Sequence, residues 1–292
     1  MRPVIHQGPM RPSEPSRTAV GVAALRAAHQ LIDGEPKLLD DPVVLRLLDA
    51  EIVDRIRANP ERLRTPLMAA LRTHVVVRSR YAEDRAGEAA ARGVRQYISL
   101  GAGLDTFACR QPAWAAPLRI VEVDEPASQA DKRERLARAA VAVPRNVTFV
   151  PIDFETTSLA DGLAGHGIDV GAPTFVSWLG VMMYLTREAI DAVFRVVRGL
   201  PAGSEIVFTF SPPLDGSEAQ RAGAAAFAGY AAGLGEPFVT QVTADALAEW
   251  LRGHGFTDIT FFGPDEIAAR YLAGRTDGLR VSRRTTIASA RV

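Results

Sequence analysis

The feature that most constrains the fold is an alternation of short apolar runs and helical patterns in the middle of the chain. Five runs have the length and composition of buried strands, and they cover residues 97–100, 118–123, 147–150, 174–179 and 205–210. Helical patterns at 126–140 and 187–197 separate successive runs. Parallel strands need such crossover connections, so the alternation predicts a parallel sheet covered by helices on both faces. With two later runs, 259–262 and 285–290, as edge strands, we predict a doubly wound, mostly parallel, seven-stranded α/β sheet.

About 90 residues of mainly helical pattern precede the first strand. Ser16 is a favourable N-cap in front of apolar residues at helical spacing, and this helix is expected to stop at 33–34. A second helix is expected to begin at 41–42, with Pro42 at its first helical position. A third stretch covers 61–92. The sequence therefore predicts a helical N-terminal extension in front of the sheet.

Composition excludes several classes of partner. The 34 basic and 34 acidic side chains cancel, which argues against a nucleic-acid partner. No run of 18 apolar residues is present to span a membrane, and residues 1–15 lack the apolar segment of a secretory signal. A single cysteine, Cys109, and five scattered histidines indicate neither a disulfide framework nor a metal site. We expect a soluble, cytoplasmic protein.

The main chemical signal lies where the first two runs end. Gly101 and Gly103 directly follow the first run, and Asp124 ends the second. In a doubly wound sheet the ligand lies outside the carboxyl ends of the strands, where glycines allow it to approach the backbone. A carboxylate at the end of the second strand can accept hydrogen bonds from two ribose hydroxyls. The sequence therefore suggests an adenosine-containing cofactor.

The residues after the glycines help to distinguish a dinucleotide cofactor from S-adenosylmethionine. A dinucleotide fingerprint requires a third small residue where Thr106 stands, and Asp105 would place negative charge where a pyrophosphate binds. S-adenosylmethionine has a sulfonium and no phosphate, so it tolerates this acidic residue. Two alternatives stay open: an NAD-dependent reductase, and a tight turn without a ligand in which Asp105 caps the following helix.

Several segments resemble the leucine carboxyl methyltransferase-like family of S-adenosylmethionine-dependent methyltransferases, which includes bacterial O-methyltransferases, some of them tied to polyketide biosynthesis. The segments are SRTA at 16–19, ALRA at 24–27, DDP at 40–42, RSRY at 78–81, SLGAGLDT at 99–106, EVDEP at 122–126 followed by Lys132, and GVMMYLT at 180–186. The similarity extends from about residue 16 to 210. It implies a class I, Rossmann-like methyltransferase fold with S-adenosyl-L-methionine as cofactor.

The resemblance also implies roles for residues around the glycine loop. The loop residues Gly101, Ala102 and Gly103 would bind the cofactor, with Gly101 beside its methionine part and Gly103 completing the bend. Asp124 would hold the ribose.

Four further residues match family positions that lie farther along the cofactor. Asp153 and Phe154 would flank the adenine, with Asp153 accepting its amino hydrogens. Arg78 matches an arginine that pairs with the methionine carboxylate, a contact in which the guanidinium can donate two parallel hydrogen bonds. Arg80 takes this role if the alignment is shifted.

One position departs from the family pattern. Leu179 stands where several members have a glutamate, which keeps open the alternative of a non-catalytic regulatory or scaffold protein on the same fold. Trp178 beside it is expected in the core. The candidates for a catalytic base are Tyr184 and His254.

The expected reaction is methyl transfer to a carboxylate, phenol or hydroxyl oxygen of a small molecule, driven by alignment and desolvation. Aromatic residues within 211–238 suggest an apolar, aromatic or polyketide-like acceptor. We expect one domain over 16–292 after a flexible tail, 1–15. Its parts would be a helical lid (16–93), a cofactor-binding core (94–210), and a substrate-facing insertion with edge strands (211–292).

Overall fold

One sheet organises the computed structural model, which describes residues 16–152, 157–213, 238–281 and 286–292. In these ranges its seven strands are Gln96–Leu100 (β1), Arg119–Asp124 (β2), Val147–Pro151 (β3), Thr174–Trp178 (β4), Glu205–Thr209 (β5), Thr257–Phe262 (β6) and Ile287–Arg291 (β7). Their order is β3-β2-β1-β4-β5-β7-β6. Strands β1 to β5 pair in parallel, and β7 is antiparallel to both β5 and β6. The predicted doubly wound, mostly parallel, seven-stranded sheet is confirmed. The run expected to form a second edge strand at 285–290 is corrected, because β7 lies inside the sheet between β5 and β6.

The strand order reverses at β1. The chain proceeds outward from β1 to β2 and β3 on one side, and then returns to β4 and β5 on the other. Leu100 pairs with Val123, and Ser99 pairs with Ser177, so β1, β2 and β4 end at nearly the same level. Ligands of doubly wound sheets bind in the crevice at such a reversal.

Helices cover the sheet and precede it. They are Arg17–Ile32 (α1), Val44–Leu47 (α2), Ala50–Ala58 (α3), Pro60–Leu63 (α4), Pro66–Ala91 (α5), Pro126–Arg138 (α6), Leu159–Gly165 (α7), Arg187–Arg198 (α8), Ala244–Gly253 (α9) and Pro264–Ile267 (α10). The first five come before β1, in agreement with the helical N-terminal extension expected from the sequence. The Ser16 hydroxyl caps α1 by accepting from the Ala19 N–H at 3.2 Å.

Two of the predicted N-terminal helices are interrupted. Pro42 does not stand at a first helical position, because the helix begins only at Val44, whose N–H donates to Asp41 Oδ1 at 3.1 Å. This short helix ends before Leu48, and a new one starts at 50. The stretch 61–92 is broken before Pro66, since a proline has no N–H to donate and its ring clashes with the preceding turn. Apolar spacing alone does not reveal either break.

A buried polar network fixes the C-terminal end of α1 against α5. The Asp33 carboxylate accepts two hydrogen bonds from Arg72, at 2.7 Å each. The same carboxylate accepts from His29 Nδ1 at 2.8 Å, while His29 Nε2 accepts from the Leu38 N–H at 3.1 Å. All three side chains are buried, so their hydrogen bonds offset the cost of desolvation.

Side chains of the sheet and of the helices packed on it form the apolar core. Trp178 is 2% exposed and packs edge-to-face on Phe194 of α8, which agrees with its expected core position. Met182 and Met183 are also buried. The predicted tail, 1–15, and most of the segment 211–238, whose aromatic residues suggested the acceptor, lie outside the described residues. Among the helices that are described, none combines the length and apolar character needed to cross a membrane.

Candidate functional site

The glycine loop after β1 is a tight turn held against β2. The N–H groups of Gly101 and Ala102 both donate to the Val123 carbonyl oxygen, at 2.8 and 3.2 Å. Gly101 and Gly103 have φ values of +65° and +47°, a region that side chains disfavour. A Cβ at position 101 would also collide with Val181, which follows β4. Glycine at 101 is therefore required by the turn and by the close approach of the next loop.

Asp124 joins this loop to the end of β2. Its Oδ2 accepts from the Gly103 N–H, and its Oδ1 accepts from the Glu125 N–H at 2.8 Å. Burial raises the pKa of the carboxyl, while these two backbone donors act in the opposite direction. A carboxylate oxygen can accept two hydrogen bonds, so each oxygen keeps capacity for one further donor. Asp124 therefore has acceptor positions for a pair of hydroxyls.

The chain after the glycines does not form an α-helix. Thr106 precedes a single turn of 3₁₀-helix, Phe107–Cys109, and Asp105 Oδ1 accepts from the Phe107 N–H at 2.7 Å. The alternative in which Asp105 caps a following helix is thus corrected: the segment is a single 3₁₀ turn, and Asp105 accepts from its first residue. Proline at 112 limits the segment, because it cannot donate to a continuing helix. With no α-helix N-terminus at this loop, the arrangement that binds a dinucleotide pyrophosphate is missing.

Arg26 ties α1 to the same loop. Its Nη2 donates to the Leu104 carbonyl oxygen, and its Nε lies 3.2 Å from Asp41 Oδ2. Its Nη1 is 3.8 Å from Asp105 Oδ2. Although burial alone would raise the pKa of the Asp105 carboxyl, the positive charge of Arg26 is the first of several that hold it below its ordinary value. The first N-terminal helix is therefore attached to the glycine loop by charge.

Arg78 of α5 is a buried cation beside the loop that follows β4. It is 7% exposed, and no described residue forms a hydrogen bond to its Nε. No carboxylate in the described part of the chain lies within ion-pair distance of it. Gly180 has φ +77°, and a Cβ there would come within 2.7 Å of Arg78 Nη1. Burial lowers the pKa of Arg78 to about 10.

Arg80 has a different environment. Its side chain is 44% exposed, its Nε donates to Asp84 at 2.8 Å, and its Nη1 donates to the Leu38 carbonyl at 3.0 Å. Its hydrogen-bonding needs are thus met within the protein. Of the two arginines that the sequence left open, Arg78 is the one with donors to offer to a ligand.

A small pocket separates Arg78 from helix α1. Its volume is about 40 Å³, and it lies between α1, α5 and the turn after β4. The side chains that matter for its chemistry are Thr18, Leu25, His74, Arg78, Met183 and Tyr184. Among them, Thr18 Oγ1 and Arg78 Nε are buried without a described hydrogen-bond partner. We call this volume the α1–α5 pocket.

A larger open groove of about 740 Å³ runs along another part of α5, with Trp114 among its lining residues. Its charged groups bond to one another. Arg80 donates to Asp84 at 2.8 Å, and Tyr271 donates to the same carboxylate at 2.7 Å. Because these groups are already paired, the groove offers less to a charged ligand than the smaller pocket does.

The two candidate bases are far apart in the fold. Tyr184 lines the α1–α5 pocket and packs edge-to-face on Phe238, with ring centres 5.5 Å apart. His254 follows α9 and stands three residues before β6, whose first residue is level with the start of β5. It therefore lies at the edge of the sheet opposite the glycine loop, where its Nε2 is 2.7 Å from Asp191 Oδ1. The expectation that His254 could serve as a catalytic base is therefore corrected, because this side chain lies away from the glycine loop and pairs with Asp191.

The remaining predicted positions have mixed outcomes. Asp153 and Phe154 lie outside the described residues. Leu179 is half-buried and packs on the apolar cluster that covers one face of the sheet. Lys132 forms a buried ion pair with Glu122 at 2.5 Å, so it stabilises the end of β2 against α6. Cys109 is half-buried, and burial raises the pKa of its thiol to about 11.

Sequence reasoning missed His74. It stands four residues before Arg78 on α5 and lines the same pocket. Burial, followed by the positive charge of Arg78, lowers the pKa of its imidazole to about 3. The i, i+4 spacing that brings both side chains to one helix face was visible in the sequence.

Comparisons with known proteins agree with this architecture. The family model described as leucine carboxyl methyltransferase matches residues 19–198. A protein of Bacillus subtilis (strain 168) named "Putative S-adenosyl-L-methionine-dependent methyltransferase YktD" is 30% identical over an alignment of 292 positions. This alignment covers 92% of this chain and 95% of that protein. A Streptomyces coelicolor protein named "Putative S-adenosyl-L-methionine-dependent methyltransferase SCO7813" is 32% identical, spanning 85% of this chain and 84% of its own. The crystal structure of a DUF574 family protein from Streptomyces avermitilis shares the fold, with a TM-score of 0.56 at 19% identity, covering 92% of this chain and 96% of that one.

Proposed function

The chain belongs to the leucine carboxyl methyltransferase family, and we propose that it transfers a methyl group from S-adenosyl-L-methionine to an oxygen atom of a small molecule. The main support for the proposal is the environment of Arg78. It is a buried guanidinium with an unpartnered Nε, at the carboxyl edge of the sheet where ligands of this fold bind.

The residues around the crevice fit this cofactor. Its methionine part ends in a carboxylate, for which a buried arginine is a strong and geometrically specific partner. Its ribose has two hydroxyls, and Asp124 keeps one acceptor position on each oxygen after bonding to Gly103 and Glu125. It has no pyrophosphate, and the glycine loop continues into a 3₁₀ turn rather than an α-helix. The assignment of Asp153 and Phe154 to the adenine is proposed from the family resemblance.

The protein's contribution to the reaction is mainly alignment. When bound, the cofactor supplies a methyl group that its sulfonium activates. Arg78 would fix the methionine end of the cofactor and Asp124 its ribose, and the loop Gly101, Ala102 and Gly103 would pass beside it. Positioning of this kind can lower a barrier by about 7–11 kcal/mol, so a covalent nucleophile is not required.

We further propose that residues 16–93 act as a lid and that the acceptor is a small, largely apolar molecule. Helix α1 borders both the glycine loop and the α1–α5 pocket, so it can exclude water from them. Leu25 and Met183 give the pocket apolar walls. The non-catalytic alternative rested on Leu179. This side chain packs on the apolar cluster that covers one face of the sheet, and its position gives that alternative no support.

Calorimetry with S-adenosylhomocysteine (SAH), followed by transfer of labelled methyl from S-adenosylmethionine to phenols and carboxylic acids, tests the proposal. We expect SAH to bind, and NADH not to bind. A protein that binds NADH but neither S-adenosyl compound at millimolar concentration would contradict the assignment of the cofactor. Methylation of nitrogen or sulfur acceptors alone would contradict the assignment of oxygen.

A further inference from the structure

A carboxylate and a guanidinium lie near each other at the carboxyl edge of the sheet without forming an ion pair. Asp105 stands two residues after Gly103, in the loop that follows β1, and Arg78 lies beside Gly180, in the loop that follows β4. These two strands are neighbours and end at nearly the same level. Burial lowers the pKa of Arg78, and the charge of Asp105 is among those that oppose this shift, so the two groups interact across the gap between the loops.

One carboxylate oxygen of Asp105 is left largely unused by the protein. Oδ1 accepts from the Phe107 N–H at 2.7 Å. Oδ2 lies 3.8 Å from Arg26 Nη1, which is too long for a hydrogen bond, and it accepts none from any described residue. Although burial alone would raise the pKa of this carboxyl, Arg26 and other cations lower it, so Asp105 is ionised at neutral pH. Oδ2 is therefore an anionic acceptor that is available to a ligand.

Asp105 is also the open end of a buried chain of charges. Glu83 pairs with Arg110. Arg110 Nε lies 3.6 Å from Asp41 Oδ1, and Arg26 Nε lies 3.2 Å from Asp41 Oδ2. The side chain of Asp105 is 23% exposed, against at most 14% for the other four. Three carboxylates and two arginines leave one negative charge unbalanced within this chain, and Asp105 is where a ligand can reach it.

We propose that Asp105 binds the ammonium group of the cofactor's methionine part, while Arg78 binds its carboxylate. The inference rests on the proposed function and deepens it, because it assigns the second charged group of the amino acid. An α-amino acid carries both charges on one carbon, so it fits a cation and an anion that lie close together but not in contact. Neither the segment 179–186 nor α1, which both lie beside Arg78, contains an acidic residue that could serve instead.

Two analogues of SAH separate the two charges. S-(5′-adenosyl)-4-thiobutyrate, here deamino-SAH, keeps the carboxylate and lacks the amino group. S-(5′-adenosyl)-3-thiopropylamine, here decarboxy-SAH, keeps the amino group and lacks the carboxylate. Calorimetry with SAH and both analogues therefore shows which charge a given side chain recognises.

Asp105→Asn is the informative variant, because its amide oxygen can still accept from the Phe107 N–H while the charge is lost. Asp41→Asn is the matched control. Asp41 belongs to the same chain of charges and is fully buried, and its Oδ1 likewise accepts from a backbone N–H, that of Val44. Urea denaturation checks that both variants are folded.

We expect Asp105→Asn to raise the Kd for SAH by roughly 5- to 30-fold, the difference between a charge-assisted and a neutral hydrogen bond. The Kd for decarboxy-SAH should rise by a similar factor. The Kd for deamino-SAH should not rise, because this ligand has no ammonium group. Asp41→Asn should bind all three ligands as the wild type does.

Three results would overturn the proposal. An unchanged Kd for SAH in Asp105→Asn would exclude the contact. An equal loss for SAH and deamino-SAH would mean that Asp105 only holds the loop in place. An equal loss of SAH binding in a folded Asp41→Asn would assign the effect to the chain of charges as a whole.

The reciprocal variant tests the division of the two charges. Arg78→Met should weaken the binding of deamino-SAH and leave that of decarboxy-SAH unchanged, and the reverse pattern would contradict the proposal. A wild-type protein that binds SAH and deamino-SAH equally tightly overturns this inference and leaves the methyltransferase assignment intact. A protein that binds no S-adenosyl compound fails the proposed function itself.

Discussion

Replacement of Arg78 by methionine should make the protein more stable and a weaker cofactor binder at the same time. Methionine keeps a flexible, unbranched side chain of similar reach and removes the charge. Burial lowers the pKa of Arg78 from 12.5 to about 10, and 1.36 kcal/mol per pH unit converts this to a cost of about 3 kcal/mol for the charged form in the folded state. Tyr184 and Asp105 act in the opposite direction, but no carboxylate among the described residues lies within ion-pair distance to offset the cost that remains. Arg78→Met should therefore raise the free energy of unfolding by up to about 3 kcal/mol at pH 7.

The same substitution removes the proposed partner of the cofactor carboxylate. A hydrogen bond between charged groups contributes about 1.5–3 kcal/mol, which corresponds to a roughly 10- to 150-fold increase in the Kd for SAH. 5′-Methylthioadenosine lacks the amino and carboxyl groups, so its affinity should be the same for the variant and the wild type. The nucleoside therefore reports whether the rest of the site is intact.

Urea denaturation and calorimetry on the same samples measure both effects. Arg80→Met is the matched control, since this arginine is exposed and paired with Asp84, and it should change both quantities little. The reasoning is refuted if Arg78→Met is less stable than the wild type, because the buried charge would then be compensated. It is also refuted if the variant binds SAH as tightly as the wild type does.

Three further substitutions test other parts of the site. Asp124→Ala should weaken SAH binding by about 1–3 kcal/mol in calorimetry, and unchanged affinity would remove it from the ribose site. Lys132→Met should destabilise the fold by about 3–5 kcal/mol in urea, because Glu122 is then a buried unpaired charge, and adding Glu122→Gln should recover most of the loss. His74 titrates near pH 6.5 when unfolded and near 3 when folded, so stability should fall from pH 6.5 towards 3, by about 1.4 kcal/mol per pH unit. His74→Asn should lack this slope in urea titrations across that range, and an equally steep decline in the variant would assign the slope to other groups.

The sheet was predictable because its central strands, β1, β4 and β5, are buried on both faces and read as mainly apolar runs. The predicted run 97–100 and the strand Gln96–Leu100 differ by one residue. The N-terminal helices were less predictable, since apolar spacing continues through Leu48 and past Pro66 where the helices break. The sequence also does not specify that the segment after Gly103 forms a 3₁₀ turn, because Asp105 can cap an α-helix equally well.

The site was predictable where parallel strands end together. Gly101 and Asp124 meet because their strands pair in register, which follows from the strand order alone. The choice between Arg78 and Arg80 needed the structure, since both lie on one helix and only packing decides which side chain is enclosed. His254 was named as a candidate base for a related reason. The sequence does not show at which edge of the sheet a residue before an edge strand lies.

A comparison of arginines along α5 supports a binding role for Arg78 over a structural one. Arg72 donates twice to the buried Asp33. Arg85, and Arg92 directly after the helix, both donate to the buried Glu205 at the start of β5, at 2.6 and 2.8 Å. The structural arginines on or next to this helix are thus paired with carboxylates from other elements. Arg78 is as enclosed as a core residue, yet the described chain supplies it with none, and Gly180 leaves room for its guanidinium. Since an uncompensated buried charge is costly, its presence at the carboxyl edge of the sheet is best explained by an anionic ligand that completes the pair.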